Sequence, residues 1–212
     1  MNVLVMKKKG ESLFDSAEAP EGVNSFTILD TTAETCTELY KKIFSEVLSQ
    51  KVFRDEYCDE KGIPEELRAQ SCPEASAYIR KNTRGLMILV ESFRDLCRSA
   101  NADCNTSFTA IFDNIKGYNI YFASCFAPND VLGMAASPLV GALKAKTVDM
   151  LFGGQFDKQG IVSLPIKLRE IKDVSKQYNN FILHYRDECY MMQMPCGKLE
   201  QTVMDPDDMP II

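Results

Sequence analysis

The chain has 212 residues, 45% hydrophobic and 25% charged, so it can bury a core without metal or disulfide staples. Its formal net charge of −6 argues against nucleic acid as a main partner, because phosphate binding needs a basic surface. Eight cysteines without any Cys-x-x-Cys spacing, and a single histidine, His184, give a structural zinc site little support.

Those cysteines, Cys97 and Cys125 among them, read as buried thiols in a reducing cytosol. No apolar run approaches the about 20 residues of a membrane helix. The amino terminus runs apolar then basic, the reverse of a secretory signal. The expectation is a cytoplasmic chain that makes no membrane contact of its own, either free or held at the inner face of the cell membrane as part of a larger protein.

In chain order, residues 1–6 suit a strand, or the remnant of a helix that begins earlier. Lys7-Lys8-Lys9 reads as a solvated terminal run. Residues 18–22 are turn-rich. Residues 25–29 read as a buried strand ending at Asp30. Thr31 or Thr32 can cap a helix to about residue 57, with Leu39, Ile43, Val47 and Leu48 at helical spacing. Gly62 and Pro64 break the chain. A short helix is expected over 65–70, and Pro73 opens another through residue 80.

Residues 85–90 (Gly-Leu-Met-Ile-Leu-Val) form a continuous apolar run, as expected of a parallel strand covered on both faces. Residues 92–100 and 107–116 read as helices and 119–124 as the next strand, with a loop at 126–130. Residues 130–144 suit one or two short helices. A short strand at 148–152 is stopped by Gly153-Gly154. Residues 180–185 and 189–194 give a hairpin with a polar turn, in which His184 reads as a structural histidine. Residues 1–197 are expected to form a single α/β domain, a mostly parallel central sheet flanked by helices, with the hairpin extending that sheet antiparallel at one edge. Residues 198–212 read as an acidic, flexible tail.

The chemistry concentrates at Glu91. An apolar strand that ends in an acid is the pattern of a Walker-B segment, whose carboxylate helps hold Mg²⁺ beside nucleotide phosphates. The following position, commonly a Glu that orients the attacking water, is Ser92, which cannot act as a carboxylate base. Any buried strand can end in a polar residue, so the motif alone is weak. No Gly-x-x-x-x-Gly-Lys-Ser/Thr loop exists to cradle phosphates.

Residues 89–96 (Leu-Val-Glu-Ser-Phe-Arg-Asp-Leu) resemble the Walker-B region of the FtsK/SpoIIIE motor ATPases. On that resemblance Glu91 takes the magnesium-site acid, Ser92 the catalytic Glu, and Asp95 and Leu96 match directly. Residues 149–155 (Asp-Met-Leu-Phe-Gly-Gly-Gln) and 185–195, ending in Gln193-Met194-Pro195, are similar to the end of the last ATPase domain of EssC-type secretion ATPases. Asn2-Val3-Leu4 resembles the residues that follow a P-loop lysine, as if the chain started just beyond the loop. The resemblance implies a RecA-like P-loop NTPase core that is degenerate and inactive at Glu91, Ser92 and Asp95. It implies no cofactor, with ATP and Mg²⁺ expected only if a P-loop lies upstream. Its partners would be neighbouring ATPase domains, secretion-machine subunits or secreted protein substrates. The competing expectation is an unrelated α/β enzyme or small-ligand binder, its crevice lined by Asp30, Glu91, Ser124 and Asn129.

Overall fold

The computed structural model describes residues 1–68, 72–100, 108, 112, 117–127, 130, 133–134, 137–144, 150–152, 180–185 and 188–193. Its contacts gather into two compact units, one formed by residues 1–146 and 159–161, the other by 147–158 and 162–212.

The first unit is built on strands β1 (Asn2–Lys7), β2 (Ser25–Asp30), β3 (Leu86–Val90) and β4 (Ile120–Ser124). All neighbours run parallel, in the order β2-β1-β3-β4, as expected for an α/β fold. This 2-1-3-4 order is doubly wound, and its switch point, where ligand crevices form, lies between the carboxyl ends of β1 and β3. Residues 2–7 are therefore a central strand. Val3, Leu4, Val5 and Met6 are all buried, the continuous apolar signature of a strand covered on both faces. In β3 the burial alternates, with Leu86, Ile88 and Val90 inside.

Helix α1 (Ala33–Glu60) starts at Thr32, whose hydroxyl accepts the Thr35 N–H while Thr35 Oγ1 accepts the Thr32 N–H, a reciprocal capping box. Thr31 instead donates its hydroxyl and its N–H to the Lys7 carbonyl. The helix buries Cys36, Leu39 and Ile43, but Leu48 faces outward. Gln50 and Arg54 are also buried, on the later turns of the helix. A 3₁₀ turn (Glu65–Leu67) and α2 (Pro73–Asn82) lead into β3, and α3 (Phe93–Ser99) follows it. Helix α4 (Pro138–Lys144) seats Leu139 and Val140 in the core. Phe108 and Phe112 are helical, and the rest of the helix expected over 107–116 lies outside the described residues.

In the second unit, β5 (Met150–Phe152), β6 (Asn180–Tyr185) and β7 (Glu188–Gln193) make a three-stranded antiparallel sheet in that order. Among the described residues the hairpin pairs with β5 and not with the four-stranded sheet it was expected to extend, because β6 takes its ladder from Met150, Leu151 and Phe152. His184 is buried within β6, as expected of a structural histidine. Gly153-Gly154, Pro195 and the segment 198–212 lie outside the described residues.

Candidate functional site

The loop that leaves β1 runs directly across the switch point. Gly10 turns it with φ +85°, a left-handed conformation that suits glycine. Its anchor is Glu91, at the tip of β3. The Glu91 carboxylate accepts the Lys8 N–H at 3.0 Å, the Ser12 hydroxyl at 2.5 Å and the Leu13 N–H at 2.9 Å. Lys8 Nζ stands 3.9 Å away, and the Glu91 side chain is only 6% exposed. The Glu91 N–H itself donates to the Met6 carbonyl, so the anchor is part of the β1–β3 ladder.

Burial alone would raise the Glu91 pKa, but the Ser12, Leu13 and Lys8 hydrogen bonds and the Lys8 charge outweigh it. The carboxyl is held below its ordinary value. Both oxygens are already engaged, and the carboxylate is held ionised by its own loop.

The neighbouring residues complete the same pinning. Lys9 N–H donates to Asp95 at 3.2 Å and Ser12 N–H to Asp15 at 3.0 Å. Lys7 Nζ lies 3.0 Å from Asp15 and 3.1 Å from Asp30. The lysine run is thus the path of the loop over the strand tips, not a solvated terminal run. Ser92 is the N-cap of α3, its hydroxyl accepting the Asp95 N–H at 3.2 Å. Ser124 Oγ donates to the Val90 carbonyl, and Arg94 pairs with Asp130 at 2.8 Å.

Of the residues expected to line a crevice, Glu91 and Asp30 are drawn into one network through consecutive lysines. Ser124 is tied to the backbone of β3, and Asn129 lies outside the described residues. Two cysteine expectations change: Cys125 is exposed and Cys97 only half-buried. Among the described residues Cys36 and Cys58 are the buried thiols, and burial pushes the Cys58 pKa up.

The residues that sequence reasoning missed are Lys8, Ser12 and Leu13. A signal for them existed. Gly10-Glu11-Ser12 lies in the loop that follows an apolar strand, where a phosphate loop would read Gly-Lys-Ser. Residues 2–4 are strand, so they do not follow a P-loop lysine; the loop position comes after them. At that position Glu11 puts a carboxylate in place of the ammonium. Residues 13–16 continue as a turn, where a phosphate-binding helix would start. P-loop NTPases hold Mg²⁺ with a loop Ser/Thr and a strand-tip Asp; here Ser12 and Glu91 stand at the corresponding places and bond each other. In this structure the Ser12 hydroxyl and both Glu91 oxygens are engaged within the chain, and Glu11 stands where a phosphate loop has its lysine.

Fold and site together define an α/β domain of the doubly wound class whose β1 loop is anchored on Glu91 at the strand tips. Its fold is similar to part of the cytoplasmic domain of EssC, with a TM-score of 0.64 and 9% identity over 92% of this chain. The chain spans 33% of that structure's length. A second similar structure, the cytoplasmic domain of the Thermomonospora curvata type VII secretion ATPase EccC, gives a TM-score of 0.45 and 12% identity over 90% of this chain and 21% of that one. No protein-family model and no curated protein matches the sequence.

Proposed function

We propose that the chain is a non-catalytic FtsK/SpoIIIE-like domain, acting as a structural or regulatory interaction module of a type VII protein secretion motor. The observation that carries the non-catalytic half is the Glu91 carboxylate, engaged by Lys8, Ser12 and Leu13 of its own loop. The likeness of fold to the EssC cytoplasmic domain supports the secretion half. On this reading the domain works in the cytoplasm, beside neighbouring ATPase domains, and binds no cofactor. No helix among the described residues is long and apolar enough to cross a membrane.

The nucleotide test uses the full chain. Millimolar Mg-ATP should neither raise its thermal midpoint nor release phosphate above background. Phosphate release that disappears in Glu91→Ala would overturn the non-catalytic reading. The secretion reading predicts co-purification with the ATPase domains of a type VII motor from the same organism, and failure to bind any of them counts against it.

A further inference from the structure

Helix α1 carries on its outer face an apolar ridge that nothing in the first unit covers. Phe44, Leu48 and Val52 are 47%, 48% and 55% exposed, and Tyr40 stacks on Phe44 with ring centroids 6.0 Å apart. These residues recur every four positions, the spacing of a helix ridge that packs against a second helix. Exposed apolar residues scattered singly need no explanation, but a continuous row on one helix marks a contact surface.

The charges around the ridge say what fits it. Lys41, Leu48 and Asp55 are one heptad apart and lie along nearly one line of the helix. Lys41 and Lys51 form no ion pair among the described residues. Asp55 is bonded by Arg54 at 3.3 Å yet keeps 39% of its side chain exposed. A second α1 laid antiparallel, with the two-fold axis at Leu48, sets Leu48 on the partner's Leu48 and Phe44 on the partner's Val52. Lys41 then meets the partner's Asp55, and by symmetry the pairing occurs twice. Parallel pairing would instead set Lys41 on the partner's Lys41. In this register the antiparallel orientation pairs Lys41 with an acid and the parallel one does not.

We infer that the outer face of α1, centred on Leu48, is a self-association surface whose occupant is α1 of a second copy of this chain, antiparallel. The contact is a few helical turns long, so the dimer is weak and transient. This goes beyond the function proposed above and stands on α1 alone, whatever the domain does with nucleotide.

Sedimentation of the full chain across the micromolar range tests it. The expected result is a reversible monomer–dimer equilibrium. Leu48→Asp should weaken it at least about tenfold, since the residue sits at the centre of the contact. Leu48 is exposed, so an unchanged thermal midpoint separates lost contact from lost folding. Lys41→Glu and Asp55→Lys should each weaken the dimer roughly twofold to fivefold, as rim ion pairs do, and the double variant should restore it. A chain that stays monomeric throughout, a dimer indifferent to Leu48→Asp, or a double variant without rescue overturns the inference. A partner of a different kind on this ridge would show itself as the first of those outcomes.

Discussion

The two ends of the four-stranded sheet both carry polar networks, and they use them differently. At the amino ends of the strands, Gln50 is completely buried in α1 and its Oε1 accepts the Asn119 N–H at 2.6 Å, just before β4. Asn119 in turn donates through Nδ2 to the Thr83 carbonyl after α2, and its own carbonyl accepts the Leu86 N–H at the start of β3. Arg54 lies over the Tyr118 ring, 5.6 Å from its centroid. Two helices and two strands are joined through one amide pair. At the carboxyl ends, Glu91 collects a comparable set of bonds but joins β3 only to a loop. Where a polar group ties core elements together, its loss is global. Where it ties down a loop, the freed N–H groups turn to water and the loss stays local.

The amino end should therefore show the largest effect. Gln50→Leu keeps the volume and removes the acceptor, leaving the Asn119 N–H unsatisfied in the core. An unfolding free energy lower by about 1–3 kcal/mol is expected from urea denaturation. Gly85 adds a steric version of the same dependence, because a Cβ there would meet Asn119 Oδ1 at 3.0 Å. A Gln50→Leu variant as stable as the parent would break the contrast between the two ends.

Glu91→Ala should come next, with a smaller global loss. Its signature is regional: amide exchange at Lys8 and Leu13 should speed up far more than exchange in β1 or β3. The pH dependence follows from the sign of the shift. The folded-state pKa lies below the ordinary value of 4.5, so Glu91 stabilises the fold above that value and the contribution fades as pH falls through the folded pKa. Stability measured from pH 6 downward should fall more steeply in the parent than in Glu91→Gln. Equal slopes would mean that the loop is held by something other than this carboxylate.

The fold class was readable because it rests on apolar periodicity. The 85–90 run expresses burial and the Pro73 helix start expresses proline's fixed φ, whereas the strand ending at Asp30, expected to be buried, forms the sheet edge with no buried residue. Gln50 and Arg54 were not readable, since a buried amide looks like a surface residue until its partner at 119 is brought to it. The pinned loop was missed for a different reason. Lys7-Lys8-Lys9 resembles a solvated run, and the Lys8 and Lys9 part of its role comes from backbone N–H groups, which leave no mark on side-chain identity. Glu91 was found through its place at a strand tip. Its work as a loop anchor depends on Ser12 and Leu13, which lie 79 and 78 residues away in sequence.

Ser92 separates capping from catalysis at the carboxyl end. Ser92→Ala removes the α3 cap and should lower stability by about 1 kcal/mol. Ser92→Glu supplies the carboxylate that the FtsK/SpoIIIE pattern has at this position, and it should still produce no ATP hydrolysis. Hydrolysis gained by that single change would show that only Ser92 stood between this site and a working motor.

The smallest effect is expected at Arg94. Its pair with Asp130 is short, at 2.8 Å, but the Arg94 side chain is 43% exposed. Water screens the attraction there, and ordering the long side chain offsets much of what remains. Arg94→Ala should change stability by less than about 1 kcal/mol, and less still in high salt. Thermal denaturation at low and high ionic strength checks this. A larger, salt-insensitive loss would mean that Arg94 holds the segment around Asp130 against the tip of β4, and that the carboxyl end is as firmly built as the amino end.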